Sequence, residues 1–160
     1  MKKAVTDFVR RFGARIDLDE RYIVARKNRH YLVGSRLTRL LRQDFYYCGI
    51  YLGKTRETRF FPGFGLLNMI SKTNANRIVV DAKSAWLFIC GRDVFKTGIM
   101  QASGSEKKGA HVLVLNEHGE CLGFGKILHN LDSATAQVVV KNILDVGDFL
   151  RRERHTRTET

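Results

Sequence analysis

The chain has 160 residues, 44% hydrophobic and 28% charged, with 14 Gly and one Pro, which excludes long disordered, collagen-like and low-complexity classes. Its 28 Lys/Arg against 16 Asp/Glu give a net charge of +12 and a pI near 10.0, pointing to a polyanionic partner, nucleic acid first and an anionic membrane second. The excess is uneven: residues 1–90 hold 18 basic and 7 acidic side chains, residues 91–160 hold 10 and 9.

Residues 3–12 place Val5, Phe8, Val9 and Phe12 at i, i+3, i+4 and i+7, the stripe of an amphipathic helix, with Lys2, Lys3, Arg10 and Arg11 off it. Tyr22 to Ala25 and Tyr31 to Val33 read as short strands around the basic turn Arg26-Lys27-Asn28-Arg29. Ser35 is placed to cap a second helix, with Leu37, Leu40 and Leu41 inward and Arg36, Arg39 and Arg42 on its outer side. Tyr46 to Leu52 and Thr58 to Phe61 read as strands around Gly53 to Glu57. Phe64 to Ser71 follows as a short helix, and Ile78 to Val80 as another strand. A first α/β domain is therefore expected over residues 1–83.

From Ala85 the texture changes. Trp86 to Cys90 reads as an apolar strand, and Gly91 to Gly98 as one or two helical turns. Gln101 to Ala110 is a polar loop. Val112 to Leu115 and Cys121 to Leu128 read as strands joined by a turn at Asn116-Glu117-His118-Gly119. Val138 to Val140 is the next strand, and Asp145 to Arg151 a terminal helix or turn. Short strands with little helix predict a compact β-barrel over residues 84–160, and an α+β chain as a whole.

Catalytic and metal signatures are sparse. Gly123-Phe124-Gly125 and Gly63-Phe64-Gly65 lack the strand–turn–helix context of a dinucleotide site and read as close backbone packing. Cys48, Cys90 and Cys121 are too few and scattered for a disulfide framework or zinc cage, and a buried Cys90 would be a small hydrophobe. The five histidines, His30, His111, His118, His129 and His155, show no ligand spacing. No catalytic residue, cofactor or metal is expected. The longest charge-free stretch, Phe60 to Ser71, is 12 residues and too short to span a bilayer; a cytoplasmic, monomeric protein is the expectation. Basic side chains interleaved with aromatics are the informative feature: Arg26, Lys27 and Arg29 beside Tyr31, then Lys54, Arg56 and Arg59 beside Tyr51 and Phe60. Tyr51 and Phe60 are expected in the core. The last ten residues add Arg151, Arg152, Arg154 and Arg157.

The run Trp86-Leu87-Phe88-Ile89-Cys90-Gly91-Arg92-Asp93-Val94, through Lys96, Gly98 and Ile99, resembles the opening of a PUA domain. Gly109 to Leu115 and Leu122-Gly123-Phe124-Gly125 continue the pattern. The ending, Val138 to Val140 through Asp145-Val146-Gly147-Asp148-Phe149-Leu150-Arg151, resembles the Nip-seven family of ribosome-biogenesis proteins of archaea and eukaryotes. Gly53-Lys54-Thr55, Arg59-Phe60 and Leu66-Leu67 are similar to that family's amino-terminal domain, so the resemblance spans Ala25 to Arg152.

The resemblance implies a non-catalytic RNA-binding factor in large-ribosomal-subunit assembly and pre-rRNA processing, in contact with other assembly proteins. In a eukaryotic source it would be nucleolar or nuclear. Arg151 and Arg152 match the family's basic end, and Arg154 and Arg157 extend it. Arg92, Lys96, Lys54, Arg56, Arg36 and Arg39 complete the candidate RNA contacts. One departure is that the PUA-like half is nearly neutral. The alternatives are a PUA-containing RNA-modifying enzyme of pseudouridine synthase or transglycosylase type, or its accessory subunit, and a scaffold for an acidic protein.

Overall fold

The apolar stripe at Val5, Phe8, Val9 and Phe12 is buried in the computed structural model, where Lys2–Arg10 forms helix α1 and Phe12 lies just past its end. The structure describes residues 2–38, 41, 47–133, 135, 137–148 and 151. Two compact units divide between Thr73 and Asn74, rather than after residue 83.

In the first unit, β1 (Ile23–Arg26), β2 (Arg29–Leu32), β3 (Ile50–Arg56) and β4 (Arg59–Pro62) form an antiparallel sheet in the order β1-β2-β3-β4. Helix α2 spans Phe64–Ser71, as the sequence predicts, and buries Leu66, Leu67 and Ile70. Gly53 to Glu57, expected as a connector, is mostly strand. Lys54 and Arg56 are exposed while Thr55 between them is half-buried, a period-two pattern hidden by its polar composition.

The helix expected from Ser35 is not seen among the described residues. Residues 35–37 form a turn closed by the Leu37 N–H on the Gly34 carbonyl at 2.9 Å, and Leu37 is 41% exposed rather than inward. Arg39, Leu40 and Arg42 lie outside the described residues.

On one face of this sheet His30, Thr55 and Phe60 meet α1. The His30 Nε2 lies 2.8 Å from the Thr55 hydroxyl, and the Phe60 ring is 5.8 Å from the imidazole and 5.5 Å from Phe8. His30 is buried and its Nδ1 has no hydrogen-bond partner. Burial, then the charge of the amino terminus, lowers its pKa below 6.5. A base with a depressed folded pKa binds fewer protons folded than unfolded, so it lends stability above pH 6.5 that is lost as pH falls below it. The melting temperature of the protein should therefore drop between pH 7.5 and 5, and His30→Gln should flatten that dependence; equal slopes for both proteins would contradict it.

In the second unit β5 (Arg77–Val80), β6 (Val94–Phe95), β7 (Ile99–Ser103), β8 (His111–Leu115), β9 (Cys121–Ile127) and β10 (Val138–Asp145) form one mixed sheet, ordered β6-β10-β9-β8-β5-β7. This is the α+β, PUA-type architecture the sequence predicts, with the sheet curled into a half-barrel. β5 pairs antiparallel with β7 and parallel with β8, which is why residues 74–83 go with this unit. The core gathers Ile78, Val80, Phe88, Val112, Val114 and Val140, among others. The glycines of Gly123-Phe124-Gly125 let β9 approach β10: a Cβ on Gly123 would meet the Leu144 carbonyl oxygen at 2.0 Å. Packing is their role.

The run Trp86 to Cys90 is helix, not strand: α3 spans Ala82–Ile89. A short apolar run fits a buried strand or a helix equally well. Here the Asp81 carboxylate settles it by accepting the Ser84 N–H at 2.6 Å as the helix cap. That bond from Ser84 holds the Asp81 carboxyl below the usual carboxylate range. Gly91 to Gly98, expected as helical turns, gives a Gly91 turn, β6 and a single 3-10 turn at Lys96–Gly98.

Candidate nucleic-acid interface

Helix α3 ends in a Schellman arrangement. The Gly91 N–H donates to the Phe88 carbonyl at 2.9 Å and the Arg92 N–H to the Leu87 carbonyl at 3.0 Å, with Gly91 at φ +89°. Two long-range side chains add further donors at this end, one to the Phe88 oxygen that Gly91 already bonds and one to the Ile89 oxygen. Asn142 Nδ2, on β10, donates to the Phe88 oxygen at 2.8 Å, and the Arg151 guanidinium to the Ile89 oxygen at 2.6 Å. Cations and amide donors are favoured at this negative end of a helix. At the other end the Asp81 N–H donates to the Gly98 carbonyl at 3.0 Å.

Asp145 holds the clamp together. Only 2% exposed, it accepts from Arg151 at 2.7 Å and from Asn142 Nδ2 at 3.1 Å. The Asn142 N–H donates to Asp93 at 2.8 Å. The hydrogen bond from Arg151 to Asp145 raises the guanidinium's pKa further. Gly147 leaves the room for this: a Cβ there would sit 2.0 Å from the Ile89 oxygen and 2.9 Å from the guanidinium.

Arg151 thus has a structural role, bonded to Asp145 and the Ile89 carbonyl, with its side chain still 39% exposed. The sequence signal missed was Asp145, six residues away, which burial leaves in need of a cation. Arg152, Arg154 and Arg157 lie outside the described residues.

What the clamp holds out to solvent is a mixed basic and aromatic surface. Lys83 and Trp86 lie at i and i+3 on α3, and both are exposed, Trp86 to 64%. Arg92 and Lys96 are exposed on the segment that follows, with Phe95 between them. Two predicted contacts, Arg92 and Lys96, are thus exposed on the segment that runs from the carboxyl end of α3 back to its amino end; Trp86, Phe95 and Lys83 were not anticipated, because an assumed strand hid the helical spacing. In the first unit Lys54 and Arg56 are exposed on β3 and Arg36 is exposed in the turn after β2. Phe60 is inward, as expected. Burial pushes the Tyr51 phenol up, with the Arg29 charge working against it.

Other chemistry has little to build on. Cys90 is exposed just past the carboxyl end of α3, and burial pushes the Cys121 thiol up to about 11. Among the described residues no three His, Cys, Asp or Glu side chains are grouped to hold a metal. No helix of the described residues is long and apolar enough to cross a membrane.

The fold has known relatives. Residues 76–154 match the family described as the UPF0113 PUA domain. The second unit thus has the PUA domain fold, an RNA-binding class of fold. A UPF0113 protein of Archaeoglobus fulgidus is 27% identical over 113 residues, covering 68% of this chain, which spans 64% of that protein's length. A conserved PUA domain protein from Thermoplasma acidophilum superposes with a TM-score of 0.59 at 18% identity, over 95% of this chain and 93% of that one. A hypothetical protein from Pyrococcus horikoshii gives 0.60 at 19% identity with the same coverage. Both units are therefore found together in solved structures. A chain of a Cbf5-Nop10-Gar1 complex is matched over 22% of its length, at a TM-score of 0.41.

Breaking the clamp tests its structural role. Arg151→Ala leaves the Asp145 charge buried and should destabilise the protein by about 2–3 kcal/mol, below the full cost of a buried orphan because the arginine is partly solvated. Asp145→Asn combined with Arg151→Ala should lose less than Arg151→Ala alone. Denaturant unfolding of the three proteins measures both, and an unchanged Arg151→Ala midpoint would return the residue to the solvent-facing role.

Proposed function

We propose that the protein is a non-catalytic RNA-binding factor of the Nip-seven type, acting in large-ribosomal-subunit biogenesis and pre-rRNA processing in the cytoplasm alongside other assembly proteins. The observation that carries RNA binding is the rigidly clamped α3 surface, where exposed Trp86 stands among Lys83, Arg92 and Lys96 on a PUA domain. Cations neutralise phosphates, and an exposed indole offers a face to an unstacked base. The mechanism is recognition and placement, with no bond made or broken. The ribosomal role is supported by the sequence resemblance across both halves and by the pairing of both units in the archaeal structures.

Trp86 is the single tryptophan of the chain, so it reports on its own surroundings. Titration with single-stranded RNA should quench its fluorescence, and duplex DNA should do so far less. Trp86→Ala should weaken binding by about tenfold or more. If about four to six phosphates are neutralised, log K against log salt should slope at roughly −3 to −4. Tight binding with neither quenching nor loss in Trp86→Ala would move the site elsewhere. Crosslinking in cells, mapped on both RNA and protein, tests the ribosomal assignment: crosslinks confined to other RNA classes would refute it.

A further inference from the structure

The register of the first unit's sheet places its cations with unusual regularity. Residues directly opposite one another on neighbouring strands share a face. The pairs Arg26↔Arg29, Arg29↔Lys54, Lys54↔Phe61 and Arg56↔Arg59 therefore put these six side chains on one side, across all four strands. It is the side opposite His30, Thr55 and Phe60, which face α1. Arg29, Lys54, Arg56 and Arg59 are exposed, and Phe61 is 43% exposed. The four strands contain no acidic residue.

Like charges opposite each other on a sheet weaken it. Where exposed Arg56 lies opposite exposed Arg59, with Lys54 two residues away on the same strand, a bound anion would offset that repulsion. At about 4.8 Å between strands the row from Arg26 to Phe61 runs for roughly 14 Å. Two residues along β2 from Arg29, past a register shift, the buried Tyr31 packs against Tyr47, whose ring lies 5.4 Å away and which is 59% exposed.

We propose that this face is a second platform for single-stranded RNA, separate from the α3 surface and built to take the backbone on Arg29, Lys54, Arg56 and Arg59 and unpaired bases on Phe61 and Tyr47. It deepens the RNA-binding reading and rests on it. The two kinds of group together select the ligand. An acidic peptide would use the charges but leave two aromatic rings in water, whereas a single strand carries phosphates and exposed π faces at once. A duplex keeps its bases stacked and cannot use the rings.

The test uses the full chain and a labelled oligouridylate. Neutralising Lys54, Arg56 and Arg59 to Gln changes exposed side chains and relieves their mutual repulsion, so the melting temperature should be no lower than that of the unsubstituted protein. The substitution should lower affinity at least tenfold and flatten the slope of log K against log salt by about two, three phosphate contacts at roughly 0.7 each. Phe61→Ala should weaken oligouridylate binding severalfold without changing that slope, and Phe61→Trp should restore it. Trp86→Ala runs alongside as the reporter of the α3 surface. If the triple variant keeps the wild-type affinity and slope while Trp86→Ala still loses binding, the platform is refuted, RNA binding stands, and the face becomes a dock for an acidic protein. If the unsubstituted protein binds no RNA at all, the RNA-binding reading itself fails.

Discussion

A buried carboxylate organises the second unit. Asp145 sits at the end of β10, and its charge is tolerable only because Arg151 and Asn142 donate to it. Those same two side chains also cap the last carbonyls of α3, more than fifty residues away in the chain. One group therefore ties the last strand, α3 and the tight turn at Gly91 into a single arrangement. The exposed surface around Trp86, Arg92 and Lys96 is positioned by it. Arg151, held by this carboxylate, and Arg92 and Lys96, exposed to solvent, are not distinguished by composition.

Legibility followed the strength of periodicity. α1 and α2 were readable because each buries apolar residues at helical spacing, and the β8–β9 hairpin because Asn116 and Gly119 mark its turn. α3 was not, since Trp86-Leu87-Phe88-Ile89 is apolar without interruption and the capping pair Asp81 and Ser84 lies between two expected strands, Ile78 to Val80 and Trp86 to Cys90. Once α3 is a helix, Lys83 and Trp86 share its outer face. The division between units was misplaced for a related reason: β5 is adjacent in sequence to α2 but finds its partners in β7 and in the distant, parallel β8. Cross-chain pairing of that kind leaves no local trace. Among the candidate contacts, Lys54, Arg56, Arg92 and Lys96 reach solvent as their charge suggests, whereas Arg151 is held by a residue that only the fold reveals.

The revised boundary sharpens the charge partition. Residues 1–73 carry 16 Lys/Arg against 6 Asp/Glu, and residues 74–160 carry 12 against 10. The unit with the PUA fold is close to neutral, and most of the chain's basic excess lies in the other unit.

The double anchoring of α3 also bears on motion. An eight-residue helix on its own would fray from its ends on fast timescales. Here its first turn is held by Asp81 and the Gly98 carbonyl, and its last by Asn142 and Arg151, both tied to Asp145. Unwinding either end requires giving up contacts that belong to the sheet. Amide exchange in α3 should accordingly report global unfolding of the unit, and Trp86 stands on a support with the stiffness of the sheet beneath it rather than that of a short helix.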